Sequence, residues 1–260
     1  MSAQRHRPAR VLPLELWDAL IDGEPLYWLP AEQKPEAIAS LVCALRAGSA
    51  RRLRAHASLP EVAFERVVLA GGADLGTTLA ALRARGLDAE VAPDPAWIAE
   101  PGGRALLHAL AANEGAVIDV GQTALKLGDR DGRARRQRDL NEIPLELDAR
   151  DPDQAPLYRA RTVEFIASTL RARARPDALV MGLPCEIGDD LYVAGCSYPW
   201  PAGDATLIAD ILRSAGLERI PCLVLNDAEL AALSVDLICA AHERTLVLTL
   251  GLGLGAAYLI

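Results

Sequence analysis

Four short stretches carry residue types that can handle phosphate. In 'AVIDVGQTALK', Asp119 closes an apolar strand, Gly121, Gln122 and Thr123 form the turn behind it, and Lys126 follows three residues after Thr123. A carboxylate fixed at a strand end can hold hydrated magnesium. A glycine lets backbone N–H groups approach phosphate oxygens, and a threonine hydroxyl can donate to one. In 'VLNDAELAAL', Asn226 and Asp227 stand where an apolar strand gives way to a helical stretch. Asp227 there is either a helix cap or a general base that accepts the proton of an attacking hydroxyl, with Asn226 holding the acceptor. In 'TLGLGLGAAYLI', Gly251, Gly253 and Gly255 alternate between two apolar runs, as a second cradle of backbone donors or as a glycine-rich hairpin. In 'VVLAGGAD', a buried-strand run passes into Gly71 and Gly72 and then a helical stretch, a passage that can run beneath an adenosine. Each stretch alone also reads as a plain turn or cap.

The elements that must position these residues alternate along the chain. Strand runs are 'RVVLAGG', 'DAEVAP', 'AVIDV', 'ALVMGLP', 'PCLVLN' and 'TLVLTL', and a hairpin is expected where 'DRDG' turns the strand after Lys126. Helical spacing covers residues 35–55 with a break near Gly48, then 'TTLAALRARGL' closed by Gly86, 'PGGRALLHALAANEG' to about Gly115, residues 159–174, and 'TLIADILRSAGL'. The class is therefore α/β.

A chain of 260 residues accommodates one large domain or two small ones and buries a full core without disulfides or metal. The formal net charge of -8 gains no counterion-release energy from a phosphate backbone, which argues against a nucleic-acid partner. The arginine clusters at 51–52, 133–138 and 171–175 read as solvated helix and hairpin faces. Five cysteines, none in a CxxC pair, predict neither a disulfide framework nor a zinc site. No apolar run approaches the ~20 residues of a membrane span. The basic 'MSAQRHRPAR' has no signal-type apolar core after it and reads as a frayed tail, so the expected location is the cytoplasm.

The order and spacing of the four stretches make a more specific pattern. From Asp119 to Ile260 the chain resembles the first half of a sugar kinase of the ROK family, in the actin-like ATPase superfamily. 'DVGQT' matches the opening phosphate motif DxGxT, and Lys126 is similar to a lysine of the polyphosphate-glucokinase branch. 'VMGLPCEI' resembles the G-x-P-G strand, and 'NDAELAAL' resembles the catalytic stretch, with Asp227 on the base. 'TLGLGLGAAYL' resembles the second phosphate loop, usually LGTGxG, with Leu252 in place of its threonine. The family's second half resembles stretches at the front: 'DALIDGEPLYW', 'LPEVAFERVVLAGGAD' for the adenosine segment, and 'APDPAWIAEPGGRALLHALAA' for the closing strand and helix. Read as 119–260 and then 18–112, the chain follows the family from end to end, as a circular permutation does.

The resemblance implies two actin-like, ribonuclease H-like lobes around a nucleotide cleft. Residues 1–115 form the adenosine-side lobe and residues 116–260 the phosphate and catalytic lobe. It implies ATP and Mg2+ as cofactors, polyphosphate as an alternative donor, and a sugar or small polyol as acceptor, with a homodimer left open. Asp119 holds magnesium; Gly121, Gln122, Thr123, Lys126, Gly251, Gly253, Gly255, Gly71 and Gly72 contact phosphate and nucleotide; Asn226 and Asp227 contact the acceptor. Two departures qualify the pattern. The family's GExGH segment and zinc loop are missing, since 'LPAEQKPEAIASL' carries neither histidine nor a cysteine pair, and Glu32 or Glu36 is either a replacement acidic contact or a helix-start residue. A binding protein without catalysis and a phosphohydrolase using water remain alternatives.

Overall fold

The computed structural model describes residues 3–14, 20–21, 24–25, 29–46, 64–145, 152–173, 175–194, 198, 203–238, 244–251 and 253–260. The chain divides into two compact units, Met1–Arg7 with Ala99–Leu230, and Pro8–Ile98 with Ala231–Ile260.

The first unit is built on a six-stranded sheet. Strands β7 (Ala116–Val120), β8 (Ala124–Asp129) and β9 (Gly132–Gln137) form an antiparallel meander. On the other side of β7 lie β10 (Leu179–Leu183), β13 (Cys222–Asn226) and β1 (Ala3–Arg5), each parallel to its neighbour. The helices are α3 (Ala99–Ala109), α4 (Ala155–Arg171), α5 (Leu207–Ala215) and the start of α6 (Asp227–Ile238). A short ladder pairs β11 (Glu186–Ile187) with β12 (Val193–Ala194). Parallel strands buried on both faces read as continuous apolar runs, and all of 'LVMGL' in β10 is buried. Burial of Leu179, Val180, Met181 and Leu183 contributes roughly 1.5–3 kcal/mol each. Gly103 lets α3 approach β7, since a Cβ there would overlap the Val117 methyls.

The second unit is built on a five-stranded sheet in the order β2 (Val11–Leu14), β15 (Leu254–Leu259), β14 (Thr245–Leu250), β5 (Arg66–Gly71), β6 (Asp88–Val91). Strands β2, β15 and β14 are mutually antiparallel, and β5 and β6 continue parallel from β14. Helices α1 (Lys34–Arg46) and α2 (Leu75–Ala84) bury Leu41, Val42, Leu45 and Leu82 in the core with Val67, Leu69, Leu246 and Leu248. A two-residue pairing joins β3 (Leu20–Ile21) to β4 (Glu24–Pro25).

The five strands of the second sheet repeat the order and directions of five strands of the first: three antiparallel neighbours, then two parallel ones. In the first unit these come in chain order. In the second the pattern starts at β14 and β15 and continues at β2, β5 and β6, from the opposite end of the sequence. The Ile260 N–H donates to the Arg10 carbonyl at 3.1 Å, and Arg10 Nε donates to the Ile260 carbonyl at 2.9 Å. As expected, 'VVLAGG' and 'AVIDV' lie in different sheets. Most of 'DALIDGEPLYW' lies outside the described residues.

Several expectations need correction. The N-terminal segment is not frayed: Ala3–Arg5 extends the first sheet by backbone pairing with β13, which needs no apolar pattern. The units do not part at 115/116, because α3 packs on β7 while β14 and β15 pair with β2 and β5. Helix α3 stops at Ala109, where Ala111 turns the backbone to φ 55. Helix α1 ends at Arg46, and the rest of the expected 35–55 helix, with Arg51 and Arg52, lies outside the described residues. Cys185 is disulfide-bonded, against the expectation of no disulfide, whereas Cys43 and Cys222 are free. Arg133, Arg135 and Arg136 are exposed as expected, but Arg138 of the same run is buried.

No helix among the described residues is long and apolar enough to cross a membrane.

Candidate functional site

In open α/β sheets, groups that handle ligands collect beyond the carboxyl ends of parallel strands. The first unit places Asp119, the turn 121–123, Cys185 and Asp227 at or just past the ends of β7, β10 and β13. Asp119 faces Lys126 directly across the β7–β8 ladder, and Lys126 Nζ donates to Asp119 Oδ2 at 2.9 Å. Both side chains are largely buried, at 14% and 17% exposure. No hydrogen bond from a described residue reaches Asp119 Oδ1.

On its other side Asp119 pairs with Gly182, and Gly182 pairs with Leu225, two residues before Asp227. A Cβ at Gly182 would stand 3.1 Å from a Leu230 methyl and 3.8 Å from Asp227 Cα. Glycine therefore keeps the strand between the two aspartates thin. Burial pushes the Asp227 carboxyl up to about 7, and the neighbouring Asp119 carboxylate adds to the rise. The Ala228 N–H and the Lys126 ammonium oppose it. Part of Asp227 stays accessible, which tempers the desolvation without changing its sign.

The turn that carries Asp227 is a capping box. Asn226 Oδ1 accepts the Ala228 N–H at 2.8 Å, and Glu229 Oε2 accepts the Asn226 N–H at 2.9 Å. Asn226 Nδ2 donates to the Cys185 carbonyl at 2.9 Å. Asn226 thus holds the turn with its amide oxygen and one amide hydrogen, and it shares the Ala228 N–H with Asp227 Oδ1, which accepts the same N–H at 2.8 Å. The N-x-x-E spacing of Asn226 and Glu229 was the sequence signal for this box.

The turn 121–123 is anchored from beneath. The Tyr198 hydroxyl donates to the Gly121 carbonyl at 2.9 Å, Arg138 Nη1 to the Gln122 carbonyl at 2.8 Å, and the Arg138 N–H to the Thr123 carbonyl at 2.9 Å. Three successive carbonyls are therefore held against the body of the unit. The Gly121 N–H closes onto the Ala124 carbonyl at 3.0 Å, and a Cβ on Gly121 would press on that same oxygen. Arg138 also donates to the Ile143 and Pro144 carbonyls, and its guanidinium lies 3.8 Å from the Tyr198 ring centroid. No carboxylate among the described residues pairs with it. Burial lowers the Arg138 pKa and pushes the Tyr198 hydroxyl up to about 12. Neither residue is legible as a loop anchor in sequence, since Tyr198 is 77 positions from Gly121.

The second unit gathers the remaining glycines. Gly71 ends β5 at φ 108, where a Cβ would collide with the Leu250 carbonyl. That carbonyl accepts the N–H groups of Gly72 and Ala73, at 3.0 and 3.2 Å. The Gly251 N–H donates to the Gly253 carbonyl at 3.1 Å, and Gly255 pairs with Thr249. The turn after β5 and the turn between β14 and β15 are therefore neighbours. Leu252 lies outside the described residues.

No model of a known protein family matches the chain, and no curated protein matches it.

Proposed function

We propose that the chain is an ATP-dependent kinase that phosphorylates a hydroxyl of a sugar or related small polyol, with Asp227 as the general base. The observation that carries this reading is the junction of β13 and α6. There a partly accessible carboxyl with a pKa raised toward neutrality stands beside the Asp119–Lys126 pair. A base poised near the working pH is suited to take a hydroxyl proton. The two units are read as actin-like lobes of a ROK-type kinase, circularly permuted. Their shared strand order supports this, with the second pattern split between the two ends of the sequence.

The acceptor hydroxyl donates its hydrogen bond to Asp227. Its oxygen attacks the terminal phosphorus of the donor in line, the bond to the bridging oxygen breaks, and the proton passes to the Asp227 carboxylate. The products are the phosphate ester and ADP. The turn beyond Gly121, through the Thr123 amide and hydroxyl, and the Lys126 ammonium hold the phosphate oxygens, and most of the work is positioning and charge balance. Asp119 fits a hydrated magnesium ion. Its Oδ1 has no hydrogen-bond donor among the described residues, and magnesium bound through one carboxylate and substrate phosphates needs no protein cage. Such a cage of three or more ligating side chains is absent among the described residues. When bound, magnesium neutralises charge on the phosphate oxygens.

The closed Asp119–Lys126 pair favours, as a second reading, a nucleotide- or sugar-binding protein without catalysis. Purified protein incubated with ATP or inorganic polyphosphate, magnesium and a panel of hexoses and polyols separates the readings. Ester formation that depends on the acceptor is expected. Hydrolysis without acceptor dependence would make the chain a phosphohydrolase, and binding without turnover would favour the second reading.

A further inference from the structure

We propose that Arg5 and Glu229 form a latch that positions Asp227, so that the N-terminal strand belongs to the catalytic apparatus. The inference rests on the reading of Asp227 as the base. Strand β1 is what the first sheet has beyond the five-strand pattern shared with the second. It is three residues long, 'AQR', and buries little apolar surface. Its one deeply buried side chain is Arg5, with 5% exposure against 1% for Glu229.

Arg5 grips three segments that converge on the Asp227 turn. Nη2 meets the Glu229 carboxylate at 2.6 Å, Nη1 donates to the Val224 carbonyl of β13 at 3.3 Å, and Nε donates to the Ile187 carbonyl of β11 at 3.1 Å. Glu229 passes the constraint on through its 2.9 Å bond from the Asn226 N–H, the residue before Asp227. The strand β11 follows Cys185, whose carbonyl holds the Asn226 amide. The turn is thus fixed on both sides by one guanidinium.

A buried ion pair adds little net stability over a well-packed apolar pair, whereas removing one partner is costly. Its distinctive contribution here is geometric. Displacement of a catalytic group by ~1 Å can cost on the order of 100-fold in rate. Arg5 and Glu229 are positioning residues, since neither is placed to touch the reacting atoms.

The test compares wild type with R5K, R5M, E229M and R5M/E229M. Three quantities are read: amide hydrogen exchange, thermal midpoint, and phosphoryl transfer from ATP to the best acceptor of the sugar panel. R5M and E229M are expected to accelerate exchange in residues 226–230 while β7 and β8 stay protected. Transfer should slow by about 10- to 100-fold through kcat, with ATP affinity held. R5K, which keeps the charge, should lie between. The double variant should regain thermal stability yet remain slow, because Asn226 still lacks its acceptor; a merely structural pair would recover both. Unchanged exchange at 226–230 in both R5K and R5M, or full recovery of rate in the double variant, would overturn the latch. If D227N transfers as fast as wild type, the base reading fails instead, and the exchange data still decide whether Arg5 holds the turn.

Discussion

The two sheets share a strand order but finish their strands differently. At the ends of β7 and β13 the first unit carries charge: Asp119 paired with Lys126, and Asp227 beside them. Buried polar groups of Arg138, Tyr198 and Glu229 hold the turns that present it. The second unit carries glycines at the ends of β14 and β5, the counterparts of β7 and β10, and one carbonyl, that of Leu250, organises both Gly72 and Ala73. One scaffold thus offers side-chain chemistry in one copy and close backbone approach in the other. Connectivity differs too, since the second copy is assembled from both ends of the sequence and the first is continuous apart from the added strand β1. The order of strands in space, not their order in the chain, is what the two units have in common.

That contrast can be broken by substitutions in each copy. Arg138→Met should have the largest effect on stability. It strands the carbonyls of Gln122, Ile143 and Pro144, at roughly 3 kcal/mol in total. Urea unfolding measures the loss, and a cost near zero would mean that the first unit's turn does not depend on a buried anchor. Gly71→Ala should cost about 1–3 kcal/mol, from the left-handed backbone and the collision with Leu250. An unchanged denaturation midpoint would remove the steric requirement from the second unit.

Asp227→Asn should act through pH. A carboxyl whose folded pKa is raised to about 7 favours the fold when protonated. Wild-type stability is therefore fullest at pH values below the unfolded carboxyl pKa and declines as pH rises toward 7. The variant lacks that decline. Its thermal midpoint should match wild type near pH 4 and exceed it by about 2–4 °C at pH 8. Equal midpoints at both values would show that Asp227 is not strained when ionised. The smallest effect is expected from Gly72→Ala, where a Cβ meets nothing within 4 Å. A change within about 0.5 kcal/mol, seen by the same unfolding, separates close approach at Gly71 from mere adjacency at Gly72.

The strands β5, β7, β10, β13 and β14 were legible because each is an apolar run bounded by turn residues, and their alternation with helices placed the chain in the α/β class. The hairpin at 'DRDG' was legible for the same local reason, with Gly132 at φ 105. Strand β1 was not, because 'AQR' has no apolar period and is a strand only through β13. Among the candidate site residues, Asp119, Lys126, Asn226 and Asp227 were singled out by type and spacing, and the fold sets the first two on β7 and β8 and the last two at the end of β13, across β10. Their supports were invisible, since Arg138 looked like the other exposed arginines of its run and Arg5 lies 224 positions from Glu229. Local pattern specifies elements; long-range polar contacts specify where their ends point.

The central claim is phosphoryl transfer to a hydroxyl with Asp227 as the base. The most direct measurement is the initial rate of acceptor phosphorylation by wild type and Asp227→Asn across a pH series, with ATP affinity measured alongside. Asp227→Asn should lose about 10²–10⁴ in rate with nucleotide binding retained, and the wild-type rate should rise with pH through about 7. Equal rates for the two proteins, with the same pH dependence, would contradict it.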